Sequence, residues 1–136
     1  MSLFESTSAC HFKTSIDSSS LVINFERNNK NLTTLTFIEK AALLHTHILA
    51  LPHLENLAIT AESVFGYGGD GIKHISDIFS TLINLTSLSV NLSKNYLGFK
   101  GIEILSNSLI NLIHLQILQV GLNFNKISNL GVEYLC

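Results

Sequence analysis

Apolar residues recur along this chain at a fixed interval of 30 residues over its second half. The block Leu85, Leu88, Val90, Leu92 and Asn95 returns as Leu115, Leu118, Val120, Leu122 and Asn125. Three glycines repeat on the same spacing: Gly71, Gly101 and Gly131. A fixed period of this size predicts a repeat structure in which each unit buries its apolar face against its neighbours.

Each unit combines two kinds of spacing. Leu85, Leu88 and Val90 are set as in a short strand, whereas the four-residue steps from Gly101 to Leu105 and Leu109 keep one helical stripe inward. Every unit should therefore run from strand through turn to helix. The predicted repeats lie near 32–53, 54–84, 85–114 and 115–136, the last of them incomplete.

The N-terminal part does not follow the period. Residues 1–20 are rich in Ser and Thr and are expected to form a loose lead-in or part of a cap. Leu21, Ile23 and Phe25 then alternate with less apolar residues, which predicts a strand, and a second strand is predicted at 32–37. The link between these strands is too short for a parallel crossover, so we expect an antiparallel hairpin that caps the repeat domain 21–136.

The third unit carries a recognisable pattern. It reads Leu85-x-x-Leu88-x-Val90-x-Leu92-x-x-Asn95-x-x-Gly98-x-x-Gly101-x-x-x-Leu105-x-x-x-Leu109-x-x-Leu112, which resembles the leucine-rich repeat in its ribonuclease-inhibitor-like subtype. The resemblance covers the chain from Leu32 onward and implies an α/β solenoid, with short parallel strands on a concave face and helices on a convex face. In the second unit Val64 or Phe65 occupies the place of the asparagine, so the resemblance is weaker there.

The resemblance also implies roles for individual residues. Asn95 and Asn125 should bond neighbouring turns of backbone, and Gly71, Gly101 and Gly131 should be structural. The concave face is the expected protein-binding surface. The residues that flank the buried leucines there are Thr34, Thr36, Asn56, Ala58, Thr60, Ser87, Ser89, Asn91, Ile117, Gln119 and Gly121. The alternative is that this neutral strip is merely a solvated sheet face.

Composition and charge restrict the partners. The chain has 136 residues, 46% of them hydrophobic and 13% charged, with a mean hydropathy of +0.37, which is ample for a packed core. A formal net charge of -2 argues against nucleic acid and against an anionic membrane. The sequence shows neither a secretion signal nor an apolar run long enough to span a bilayer, and its two cysteines suit a reducing compartment, so a cytoplasmic location is expected.

Two motifs suggest chemistry but have simpler explanations. Residues 66–71 spell G-x-G-x-x-G between a predicted strand and a predicted helix, as a dinucleotide-binding turn would. However, Gly68 and Gly71 align with Gly98 and Gly101, so the repeat already explains them. His45, His47 and His53 cluster in sequence, yet the first two point in different directions on a helix and lack the spacing that grips zinc. We therefore expect no cofactor, no metal and no catalytic set.

The sequence favours a non-enzymatic scaffold for protein–protein contact. One alternative is a regulator of a small GTPase, because Ran GTPase-activating proteins use this repeat subtype, although Arg27 is the only arginine and lies in the predicted cap. Another is that the chain is the N-terminal piece of a larger protein. The apolar edge beside Leu118 and Val120 is expected to be covered by a partner, by self-association or by further residues. Leu88→Ala and Leu118→Ala should each destabilise the fold by roughly 2 to 5 kcal/mol.

Overall fold

The described strands form one mixed sheet. The computed structural model describes residues 3–7, 10–14, 19–25, 44–63 and 70–136. Within these ranges the sheet has the order β1-β2-β3-β4-β5-β6. The strands are β1 Leu3–Thr7, β2 Cys10–Thr14, β3 Ser20–Phe25, β4 Asn56–Thr60, β5 Ser87–Asn91 and β6 Ile117–Gly121. β1, β2 and β3 pair antiparallel, whereas β3 to β6 are parallel, so the protein is of the α/β class.

Helical segments alternate with the parallel strands. Residues 44–49 are helical (α1), and the further helices are α2 Asp70–Ser80, α3 Gly98–Leu109 and α4 Asn129–Leu135. α2 and α3 connect consecutive parallel strands, as such a crossover requires. α2 packs against α3, and α3 against α4, so the helices lie side by side in the same order as the strands that precede them. None of the helices in the described ranges is long and apolar enough to cross a bilayer.

The parallel strands stack in register, so equivalent residues form rows across the sheet. Leu57 pairs with Leu88 and Leu88 with Leu118, while Ile59, Val90 and Val120 form the next inward row. The 30-residue period is therefore the step from β5 to β6, and the step from β4 to β5 is one residue longer. Because strand side chains alternate between faces, each inward row is flanked by an outward row.

The core lies between the inward rows and the helices. α2 contributes one buried stripe, Ile72, Ile75, Ile78 and Phe79, and α3 contributes Ile102 and Leu105. The leucines that lead into β4, β5 and β6 are Leu54, Leu85 and Leu115; the first two are fully buried and Leu115 packs partly buried against the core. Burying one such side chain stabilises the fold by about 1.5 to 3 kcal/mol.

The predicted cap hairpin is wrong in its pairing. β3 pairs with β2 on one edge and with β4 on the other, and the second predicted strand, 32–37, lies outside the described residues. The parallel sheet therefore starts at β3. Of the two expectations for residues 1–20, a loose lead-in or part of a cap, the described parts agree with the second, because β1 and β2 form an antiparallel hairpin at the N-terminal edge of the sheet. Threonine has a high strand propensity, and a Ser/Thr-rich segment without clear alternation still forms strands when a sheet edge offers it hydrogen-bond partners.

Burial is uneven across the repeats. Leu88 is 0% exposed in the middle of the sheet, whereas Leu118, the same position in β6, is 46% exposed. Leu130 and Val132 of α4 are also more than half exposed. This difference lowers the cost expected for Leu118→Ala below the roughly 2 to 5 kcal/mol predicted from the sequence for each of the two substitutions.

Candidate functional site

Twelve outward positions of the four parallel strands share one surface, called here the sheet face. The registers arrange them in three rows of four. The rows are Ser20, Asn56, Ser87 and Ile117; Val22, Ala58, Ser89 and Gln119; and Asn24, Thr60, Asn91 and Gly121. None of the twelve is charged.

The sheet face brings together most of the residues singled out from the sequence. Asn56, Thr60, Ser87, Ser89, Asn91, Ile117 and Gln119 lie on it, as do Ala58 and Gly121. Thr34 and Thr36 lie outside the described residues. Sequence reasoning missed Ser20, Val22 and Asn24, because β3 was assigned to a cap. The alternation of the inward residues Leu21, Ile23 and Phe25 could have indicated that Ser20, Val22 and Asn24 point outward.

Polar groups dominate the chemistry of the sheet face. Asn56 Nδ2 donates a hydrogen bond to Ser20 Oγ at 3.2 Å, across β3 and β4. A shallow depression of about 340 Å³ crosses β5 and β6 and is lined by residues that include Ser89, Asn91 and Gln119. Val22 and Ile117 add exposed apolar surface on the two outer parallel strands. The face can therefore offer hydrogen bonds and shape, but no charge.

Gly121 allows the neighbouring asparagine to lie across the sheet face. A Cβ atom at position 121 would stand 2.9 Å from Asn91 Oδ1. With glycine there, Asn91 Oδ1 accepts a hydrogen bond from the backbone N–H of Ser93 at 3.1 Å. A larger residue at 121 would displace this amide, so the glycine shapes the floor of the depression.

Two buried asparagines join successive turns just beyond the strands. Asn95 Nδ2 donates to the carbonyls of Ala61, Leu92 and Ser93 at 2.6, 2.8 and 3.3 Å. Asn125 Nδ2 donates to the carbonyls of Leu92 and Leu122 at 2.8 and 3.0 Å. Because each amide bonds its own turn and the preceding one, these side chains satisfy backbone groups that have left the sheet ladder.

The three periodic glycines are buried at equivalent places. Gly71 lies at the start of α2, Gly101 in the first turn of α3 and Gly131 early in α4. A Cβ at Gly101 would stand 2.7 Å from Leu97 Cβ, and one at Gly131 would stand 2.6 Å from Ile127 Cγ2. Close contact with the residue four positions earlier therefore excludes a side chain at both sites. Gly66 and Gly68 of the G-x-G-x-x-G motif lie outside the described residues.

A second depression lies where the parallel strands begin. It has a volume of about 410 Å³ and is lined by residues that include His53, Glu55 and His114. Within the described ranges, no three His, Cys, Asp or Glu side chains are close enough together to hold a metal ion. Arg27, on which the GTPase-regulator alternative depends, lies outside the described residues.

Comparison with protein-family models, with curated proteins and with solved structures gave no significant match.

Proposed function

We propose that this chain is a leucine-rich repeat solenoid of the ribonuclease-inhibitor-like type and acts as a non-catalytic scaffold that binds another protein through its sheet face. The observation that supports this most directly is the in-register stacking of β3 to β6, which aligns twelve uncharged outward positions on one surface. The buried asparagines Asn95 and Asn125 recur at the same 30-residue step as β5 and β6, as the resemblance implies.

The chemistry of the sheet face suits a protein partner. Polar side chains that reach out from neighbouring strands can bond a partner's backbone and side chains, while Val22 and Ile117 offer apolar contact. Because the sheet face has no charged residue, it neither attracts nor repels a partner electrostatically over a distance. Recognition therefore depends on shape and hydrogen bonds.

The size of the sheet face places a condition on the partner. Four strands spaced about 4.8 Å apart, with five residues rising about 3.3 Å each, cover roughly 300 Å². A stable interface buries about 800 Å² on each partner. The partner must therefore also contact the loops or helices beside the sheet.

Arginine substitution tests this function. Ser89 lies in the middle row of the sheet face, between Ala58 and Gln119. Ser89→Arg introduces a long charged side chain there, whereas Asn107→Arg introduces the same side chain at an exposed position of α3. Immobilised wild-type and variant chains are compared for the proteins that they retain, and circular dichroism checks that each variant is folded.

The expected result is a partner that the wild type and Asn107→Arg retain equally and that Ser89→Arg loses. Equal retention by all three chains would show that the sheet face is not the binding surface.

A further inference from the structure

A cluster of lysines and aromatic rings lies in the loops that follow the parallel strands. It consists of Ser63 after β4, Lys94 and Tyr96 after β5, and Phe124 and Lys126 after β6, and is called here the loop cluster. These residues line an open depression of about 440 Å³. The cluster lies outside the twelve positions of the sheet face.

The repeat makes lysine and aromatic residues alternate within the loop cluster. Lys94 and Phe124 occupy equivalent positions 30 residues apart, and so do Tyr96 and Lys126. The two loops are bonded to each other, since the backbone N–H of Lys94 donates to the carbonyl of Asn123 at 2.8 Å. Each loop therefore brings one ring and one ammonium group to the same depression.

The backbone of both loops holds these side chains in an uncommon conformation. Lys94, Tyr96, Phe124 and Lys126 have φ angles of 60°, 52°, 58° and 53°. Residues with a bulky side chain rarely adopt this left-handed region, and such backbone strain often accompanies a functional site. Phe124 is nevertheless 75% exposed, so burial in the core does not account for its ring, and the Tyr96 side chain is 38% exposed beside it.

Charge in the loop cluster is unevenly compensated. Lys94 Nζ lies 2.6 Å from Glu62 Oε1, so its charge is already paired. Lys126 Nζ lies 5.0 Å from the centre of the Tyr96 ring, and within the described part of the chain it makes no ion pair. Among the described residues, the cluster thus presents one lysine without an ion pair, which lies over the Tyr96 ring and lines the same depression as the exposed Phe124 ring.

We propose that the loop cluster binds a peptide segment of another protein in which a carboxylate side chain neighbours an aromatic one. The carboxylate pairs with Lys126, and the aromatic ring packs against Phe124 and Tyr96. A single-stranded nucleic acid would also offer rings and negative charge. However, its affinity depends on neutralising several phosphates. In the described part of the molecule the cluster has one lysine without an ion pair, and its other lysine, Lys94, is already paired with Glu62.

Two variants remove the proposed contacts without disturbing the core. Phe124→Gly removes the ring and at the same time lets a glycine adopt the left-handed backbone, so loss of binding cannot be attributed to a strained turn. Lys126→Gln removes the charge and keeps a side chain of similar length. The matched control is Lys100→Gln, because Lys100 Nζ lies 5.7 Å from the Phe99 ring and so belongs to a second lysine–aromatic pair outside the depression. Ser89→Arg, on the sheet face, is the second control.

The probe is a short fluorescein-labelled peptide in which one phenylalanine lies between two glutamates, and binding is followed by fluorescence anisotropy. We expect Phe124→Gly and Lys126→Gln each to weaken binding about three- to tenfold, and Lys100→Gln and Ser89→Arg to leave it unchanged. Replacing the glutamates of the peptide by glutamine, or its phenylalanine by alanine, should weaken binding to a similar degree.

Several results would overturn this proposal. These are no binding by the wild type, equal binding of the glutamine peptide, wild-type affinity in both cluster variants, or tighter binding of oligothymidylate than of the peptide. Loss of peptide binding in Ser89→Arg would move the peptide site to the sheet face. The two proposals are therefore separable, because the sheet face can fail its own test while the loop cluster still binds the peptide.

Discussion

Asn125 Oδ1 accepts a hydrogen bond from the backbone N–H of Asn95 at 2.9 Å. The two asparagines occupy equivalent positions, so the side chain of one repeat bonds the backbone of the preceding repeat at the matching residue. Both asparagines are almost completely buried, with exposures of 2% and 0%. Buried amide groups that bond backbone in this way are costly to remove, because the groups they leave behind have no water to replace them.

Asn95→Asp should therefore destabilise the fold. The substitution replaces a group that donates to three carbonyls by a carboxylate that cannot donate, and we expect a loss of at least about 1 to 3 kcal/mol in the free energy of unfolding. Urea denaturation measures the change. Asn123→Asp is the matched control, because the side chain of Asn123 is exposed in the loop that bonds Lys94, and it should change stability by less than about 0.5 kcal/mol. Equal effects of both substitutions would contradict the structural role of Asn95.

Two serines of α3 allow one buried hydroxyl to be compared with another. Ser106 is 8% exposed, and its Oγ has no hydrogen-bond partner among the described residues, whereas Ser108 is 6% exposed and its Oγ donates to the carbonyl of Leu105 at 2.7 Å. Alanine improves helix propensity equally at both positions. Ser106→Ala should raise the free energy of unfolding by about 1 kcal/mol or more, because it removes an unsatisfied buried hydroxyl, and Ser108→Ala should change it little. Thermal denaturation of the two variants measures the difference, and a Ser108→Ala chain as stable as Ser106→Ala would contradict it.

The equivalent leucines of β5 and β6 should differ in their contributions. Leu88→Ala creates a cavity at a fully buried position and should cost about 2 to 5 kcal/mol. Leu118→Ala removes a side chain that is 46% exposed and should cost roughly 1 kcal/mol. Urea midpoints of both variants test this order. Equal costs would mean that another surface covers Leu118 in solution. If the urea midpoint of the wild type also falls on dilution, that surface belongs to a second copy of the chain.

Tyr134 should titrate at higher pH than an ordinary tyrosine. The negative charge of Glu103 is the largest cause that raises the pKa of Tyr134, followed by burial, by a hydrogen bond to Glu103 and by the charge of Glu133. A ¹³C-tyrosine NMR titration, assigned with Tyr134→Phe, follows this group. Glu103→Gln should lower the Tyr134 pKa by more than the control Glu133→Gln does. The folded chain holds the Tyr134 proton more tightly than the unfolded chain does. The resulting contribution of Tyr134 to the free energy of unfolding is present below the ordinary pKa of the unfolded chain, and it is lost as the pH rises through the raised pKa of the folded chain.

Local pattern was sufficient to predict the elements of the second half of the chain. The alternation around Leu88 and Leu118 and the four-residue steps from Gly101 to Leu109 report which side chains face the core, and this is a property of the strand and the helix themselves. The expectation that β4, β5 and β6 present their outward residues on one face came from the resemblance to the leucine-rich repeat, since alternation only shows which residues of one strand point the same way. Neither the left-handed turns at Lys94 and Phe124 nor the depression they line had a signal in the hydrophobic pattern, since both depend on how neighbouring loops stack.

The sequence by itself therefore determined the 30-residue period, the inward leucines and the outward positions of the three periodic strands, because these follow from spacing along one chain. Only the tertiary structure decided that β3 pairs with β2 and β4, and that Leu118 is exposed where Leu88 is buried. Strand pairing joins residues far apart in sequence, and the burial of a side chain depends on what packs against it. Identical spacing along the chain therefore does not determine which strands pair or how exposed a side chain is.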